Sequence, residues 1–267
     1  MNSKFRQVLV GSLAALCCAN ACSGDEPRSR ALIRGEGGDQ AAGGAGGGGK
    51  QVDPATAGAI RGTVHFAGTP PPLEPITFSQ EICAEPHSGT VYKETVVVNP
   101  NNTLRWCFVY VDTADQYAPP AQPALIDQIG CIYIPHVLGM QVNQKIEVKS
   151  SDKTLHNFHW VSKPELNKEK NLAFTRPGSK TLTFAKAEVA MYVKCDVHPW
   201  MGAYIGIMTH PFHAVSDENG VYTIQGVPPG THTVRLFHEV FSRKSDLQGT
   251  VTVTTGQTAT LDFTVKN

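Results

Sequence analysis

Cys195, His198 and Met201 stand at three-residue intervals in Tyr192-Val193-Lys194-Cys195-Asp196-Val197-His198-Pro199-Trp200-Met201-Gly202. A thiolate and a thioether are soft donors that favour Cu(I), and imidazole serves either oxidation state of copper. Structural zinc seldom takes a thioether, so this donor mixture suits copper better than zinc. A mononuclear centre of two imidazoles, one thiolate and a weak axial thioether needs one more histidine. His156, followed by Asn157, lies 39 residues upstream of Cys195, a gap that leaves room for strands to bring the two segments together. No cysteine follows Cys195, which excludes a binuclear centre with a second thiolate from the same loop. The sequence carries no Gly-x-Ser-x-Gly elbow, no His-Glu-x-x-His pair, no phosphate loop and no Cys-x-x-Cys-His haem attachment.

The Cys-x-x-His-x-x-Met spacing, the proline after His198 and the upstream His156-Asn157 resemble the ligand residues of the cupredoxins, the type 1 blue-copper domains of the amicyanin and plastocyanin kind. That resemblance implies one copper per chain, held by His156, Cys195, His198 and Met201, and single-electron transfer in place of an enzymatic reaction. It implies that Asn157 hydrogen-bonds toward the cysteine side and fixes the two ligand segments against each other. It also implies that His198, on an exposed loop, is where the electron leaves. Copper storage or sensing, and a structural binding module without a redox role, are the alternatives. His159 is expected at the surface, because residues 156 and 159 face opposite sides of a strand. His136, His210 and His213 are the residues from which a second metal site would be built. Trp200 either caps the metal, contacts a partner or simply packs.

The elements that must position these residues are strands. Short runs rich in Val, Ile, Thr and aromatics recur between Gly, Pro and Asn: Ala59–Phe66, Thr95–Val98, Leu104–Val111, Gly130–Ile134, Lys145–Lys149, Thr181–Phe184, Ala190–Lys194, Ala203–Met208, Gly220–Ile224, Thr231–Phe237, Thr250–Thr254 and Thr258–Val265. Many alternate apolar with polar side chains, which predicts half-buried antiparallel strands in two all-β units. Val215–Ile224 reads as strand, Asn-Gly turn, strand. With Gly226-Val227-Pro228-Pro229-Gly230 it resembles the carboxypeptidase regulatory-like (transthyretin-like) β-sandwich, whose usual opening resembles Gly62-Thr63-Val64 through Gly68-Thr69-Pro70. The expected fold is therefore all-β, a cupredoxin-like Greek-key sandwich plus a transthyretin-like sandwich. The expected division is 57–112 for the first part of the sandwich, 113–208 for the copper domain and 209–267 for the regulatory-like sandwich. Both an interleaved and a tandem arrangement fit this reading.

Apolar residues make up 41% and charged residues 17% of the 267, enough for real cores, and 23 basic residues balance 23 acidic ones. A nucleic-acid binder would need a basic excess to neutralise phosphates. Residues 1–21 read as an export signal: Lys4 and Arg6, then apolar Val8–Cys18, then Ala19-Asn20-Ala21. With Cys22 next, the segment resembles a bacterial lipoprotein signal, which implies a lipid on Cys22 and a periplasmic or outer-membrane-attached protein. It departs from that pattern at Ala19, where leucine is preferred, and plain cleavage after Ala21 is the alternative. Residues 22–56, with nine glycines in 35–49, are expected to form a flexible tether. Cys107 sits in a strand-like run where a small thiol packs well, whereas Cys83 and Cys131 lie in loop-like or strand-edge settings, so a Cys83–Cys131 disulfide is expected. Eight basic against three acidic residues between Lys149 and Lys186 would steer an acidic redox partner protein.

Overall fold

Alternation of side chains in this chain does bury one face of an extended segment. The strand β6 (Lys145–Ser150) turns Ile146, Val148 and Ser150 inward, and β15 (Gln248–Val253) turns Val251 and Val253 inward. In the computed structural model, residues 49–243 and 247–267 are described; the expected export signal, Cys22 and most of the expected tether lie outside them.

The fold is all-β, with two pairs of sheets. In the first pair, one sheet runs in the order β4 (Ile132–Ile134), β3 (Ala124–Ile129), β6, β9 (Gly178–Thr183). The other runs β5 (Val137–Gln141), β11 (Gly202–Met208), β10 (Glu188–Lys194), β7 (His156–Val161), β8 (Lys170–Phe174). Ile126, Ile146 and Val148 from one sheet meet Phe158, Val193 and Ile205 from the other in a single core.

The second pair has β13 (Val221–Val227), β1 (Gly58–Ala67) and β16 (Thr258–Thr260) in one sheet, with β17 (Phe263–Lys266) also on β1. Its partner sheet runs β12 (His213–Val215), β2 (Phe108–Val111), β14 (Gly230–Phe237), β15. Ile60, Val64, Val109, Ile224 and Val234 fill the core between them. The chain thus leaves this pair of sheets after β2 and rejoins it at β12.

Several expectations need correction. β1 pairs in parallel with β16 and β17, β3 with β6, and β5 with β11. Inward and outward side chains alternate identically in parallel and antiparallel strands, so the pattern carries no information about direction. The Asn219-Gly220 turn does not close a hairpin, because β12 and β13 belong to different sheets. Ser216 holds the chain at that crossing: its hydroxyl donates to Leu104 O at 2.8 Å and accepts from Cys107 N at 2.9 Å. The final part of the expected tether is folded. Lys50 exchanges main-chain hydrogen bonds with Gln116 and Ala118 and its ammonium meets Asp115 at 2.7 Å, while Asp53 receives the amides of Thr56 and Ala57. Residues 57–112 do not all serve the sandwich either. An arm containing Phe78 and the short helix α1 (Glu81–Ala84) packs Phe78 and Cys83 on the other core.

A slot joins the two pairs of sheets. Gly139 of β5 and Gly206 of β11 are register partners. The missing side chains leave room for the ring of Phe108 from β2: a Cβ on Gly206 would stand 2.3 Å from it. Gly206→Ala therefore displaces Phe108, and overpacking of this kind costs roughly 1–3 kcal/mol. Urea denaturation should show the loss. Combined with Phe108→Ala the loss should be smaller than the sum, since both changes act on one contact; strict additivity would remove the slot.

Candidate metal centre

β7 begins at His156 and β10 ends at Lys194, so the upstream histidine and Cys195 sit at neighbouring strand ends. The residues after Cys195 form a tight loop into β11: Met201 N donates to His198 O at 2.9 Å, and Cys195 N to Met201 O at 3.2 Å. His156 and His198 are fully buried, Cys195 and Met201 almost so. His156 Nδ1 lies 3.0 Å from His198 Nδ1, and His198 Nδ1 lies 3.7 Å from Cys195 Sγ. The three ligand atoms all fall within 4.8 Å of one another. Two nitrogens bound at about 2.0 Å to one metal, with a near-right angle between them, stand about 3 Å apart; nitrogen and a sulfur at about 2.3 Å stand about 3.7 Å apart at an angle near 120°. The donors are spaced as a single metal ion would hold them. Met201 places its thioether residue on the same loop.

Residues that the sequence did not single out hold this arrangement. Asp152 accepts from His156 Nε2 at 2.9 Å and from the amides of Gly130 and Cys131, each at 2.8 Å. A carboxylate on the far nitrogen fixes the tautomer and leaves Nδ1 free to bind metal. The Tyr133 hydroxyl lies against the carbonyls of Asn157 and Lys194, next to one ligand from each segment. Asn157 acts toward the cysteine through its backbone, its amide donating to Cys195 Sγ at 3.3 Å.

Electrostatics follow from these contacts. Burial alone would push the Cys195 thiol up; His156 and the amides of Asn157, His198 and Val197 outweigh it and hold the thiol below its usual value. Burial likewise disfavours charge on His156, but the Asp152 carboxylate and Cys195 raise it to about 9. Burial, with the neighbouring His156, drives His198 down to about 4. The pocket favours a cation beside a thiolate, which is what a bound metal supplies when it replaces the protons.

His198 is not exposed as expected. The arm from residues 78–87 covers it: Cys83 is bonded to Cys131, and its Sγ lies 3.6 Å from His198 Nε2. Trp200 closes the same edge, its ring 5.1 Å from that of His198, its indole N–H donating to Cys131 O at 2.9 Å and Phe78 standing edge-on at 5.5 Å. His87 donates to Gly130 O at 2.8 Å and stacks on Phe78. Cys107 is a buried free thiol pushed up to about 12 by burial. His159 lies outside the site, between Asp196 and Glu169.

His136, His210 and His213 form no metal cluster among the described residues. His136 instead donates to Glu239 Oε1 at 2.7 Å and to Gly202 O at 3.1 Å, tying the residue after Met201 to the loop after β14. With a carbonyl on one nitrogen and a carboxylate on the other, both contacts are made at once when the imidazole is protonated. Burial lowers the His136 pKa, but Glu239, helped by Glu94, outweighs it and raises the net value.

Residues 199–266 match the carboxypeptidase regulatory-like domain family, a match that includes β11, whose main chain pairs with β10, the strand that ends one residue before Cys195. No curated protein matches the sequence. Solved structures found as neighbours include cupredoxins and a copper-containing nitrite reductase. The purple cupredoxin of Nitrosopumilus maritimus shares 17% identity over 32% of this chain and 98% of its own, with a TM-score of 0.27. A methionine-to-alanine variant of amicyanin in its Cu(I) form shares 17% identity over 37% of this chain and 97% of its own, TM-score 0.28. The copper-containing nitrite reductase of Thermus scotoductus SA-01 shares 19% identity over 37% of this chain, TM-score 0.29, and this chain spans 25% of its length.

Asp152→Asn leaves one of the two amides facing an N–H group and takes the carboxylate from His156. Copper affinity should fall by roughly 10–100-fold in a chelator competition titration. An affinity within twofold of the parent would remove Asp152 from this role. The His136–Glu239 pair makes a second prediction. A histidine whose folded pKa is raised stabilises the fold fully below its unfolded value of about 6.5, and that contribution is lost as pH rises through the folded value. Denaturant unfolding from pH 6 to pH 9 should show this loss, and His136→Gln should flatten it.

Proposed function

We propose that this chain is an exported copper protein that passes single electrons through one mononuclear site built from His156, Cys195, His198 and Met201. The observation that carries the reading is the convergence of His156 Nδ1, His198 Nδ1 and Cys195 Sγ at metal-donor spacing among buried side chains. Copper bound there would supply a one-electron couple. The soft sulfurs of Cys195 and Met201 suit Cu(I), and the two imidazoles suit either state. Asp152, Tyr133 and the Asn157 amide hold the donors in place without the metal, so little has to move when an electron arrives. Four protein donors leave no position for a substrate, which favours carrying electrons over catalysis.

On this reading the copper domain interrupts the regulatory-like sandwich, and the first 21 residues direct export. A lipid on Cys22 would place the protein at a bacterial membrane, with the glycine-rich segment as spacer. The basic stretch from Lys149 to Lys186 would steer an acidic redox partner, screened by salt. Storage or sensing of copper is the second reading, and burial of His198 under the arm favours it, since a closed site hinders rapid exchange with a partner.

Absorption and EPR spectra of the protein loaded with Cu(II) decide between them. Electron transfer requires an intense blue thiolate-to-copper band and a reversible high potential; a colourless protein that holds Cu(I) tightly is a store. Cys195→Ser should abolish the band. Met201→Leu should keep it and raise the potential, because an apolar side chain in the axial position disfavours the more highly charged Cu(II) state. A band that survives Cys195→Ser would refute the ligand set.

A further inference from the structure

His198 presents each of its ring nitrogens to a different cysteine. Nδ1 stands 3.7 Å from Cys195 Sγ, and Nε2 stands 3.6 Å from Cys83 Sγ. A metal-ligating histidine usually gives its second N–H to a carboxylate, a carbonyl or water. His156 does so, through Asp152. Among the described residues, the hydrogen-bond neighbour of His198 Nε2 is a disulfide sulfur, a poor acceptor, in a fully buried setting. The ligand atoms of Cys83, Cys131 and His198 nevertheless lie within 4.8 Å of one another, and all three residues are buried. The Nε2–Sγ spacing is again that of a nitrogen and a sulfur sharing one metal at about 2.0 and 2.3 Å.

We propose that Cys83 and Cys131, once reduced, form with His198 Nε2 a second site, specific for Cu(I), back to back with the Cys195 set. Two thiolates and one imidazole are a soft donor group of the kind that selects Cu(I) over hard cations. Occupation depends on the redox state of the pair. A dithiol reductant gives the disulfide two electrons and two protons and departs as its own disulfide, leaving two thiols. Cu(I) then displaces the two thiol protons to solvent and binds the bare Nε2, the imidazole proton moving to Nδ1, or to solvent where Nδ1 also holds a metal. The bond lies one residue below the surface: Ile82, Ala84 and Glu85 beside Cys83 are exposed, so opening of the short arm admits a reductant. An ion held there is one imidazole away from the Cys195 donors.

The test uses the full-length Cys195→Ser protein, in which the first set is broken, titrated with Cu(I) alone against a chromogenic chelator. The disulfide form should take up no tightly held Cu(I). The reduced form should gain about one equivalent, a gain that Cys83→Ser abolishes and His198→Gln weakens at least tenfold. No uptake on reduction, or uptake undiminished by Cys83→Ser, overturns the proposal and leaves the disulfide a staple only. A measurement on the unmutated chain guards against misfolded variants. After reduction, Cu(I) should protect Cys83 and Cys131 from iodoacetamide, as read by peptide mass spectrometry; equal alkylation with and without Cu(I) overturns the site. The blue band of the Cu(II)-loaded disulfide form tests the Cys195 set separately, so each reading can fail alone.

Discussion

The carboxylate of Asp152 is the constraint on which the surroundings of His156, Cys195 and His198 depend. Its two oxygens accept from Gly130 N, Cys131 N and His156 Nε2, three donors from two separate segments. Those bonds outweigh its burial and keep its pKa below the usual carboxylate value. They also hold Cys131 at φ 53, a left-handed conformation that a side-chain-bearing residue adopts at a cost. From that turn the contacts spread. Cys131 is bonded to Cys83, the carbonyls of Gly130 and Cys131 receive His87 and Trp200, and His156 is aimed at His198. Both imidazoles are thus oriented from one two-residue turn.

The second organising feature is the way the two pairs of sheets share the chain. The arm that covers His198 comes from the stretch between β1 and β2, so a strand-rich scaffold on one side supplies the cover for a site on the other. The same scaffold reaches the loop of Met201 through Glu239 and His136, and it inserts Phe108 into the slot between Gly139 and Gly206. Three separate contacts therefore make the sandwich part of the site's environment. Any electron that passes through His198 must cross this cover, by way of the Cys83 sulfur or the Trp200 ring.

Much of the site was legible in the sequence because its donors are chemically rare and locally spaced. A cysteine, a histidine and a methionine within seven residues can share one loop in almost any fold, and His156-Asn157 was recognisable by type. The strands were legible wherever side chains alternate, as in Lys145–Ser150. Ala124–Ile129 is a strand whose alternation is visible in the sequence, whereas Gly139 interrupts the apolar pattern of Val137–Gln141 and hides it. Asp152, Tyr133 and the His136–Glu239 pair were invisible because an ordinary Asp, Tyr or Glu carries no signal until the fold supplies its partner; His136 and Glu239 are 103 residues apart.

By itself, then, the sequence determined the residues of the candidate site, the all-β class and the periodic faces of the strands, since each depends on residue type and short-range spacing. Tertiary structure alone decided strand direction, the burial of His198 under the arm and the partners of its two ring nitrogens. Those properties depend on which distant segments meet, and pairing between distant segments leaves no trace in local alternation.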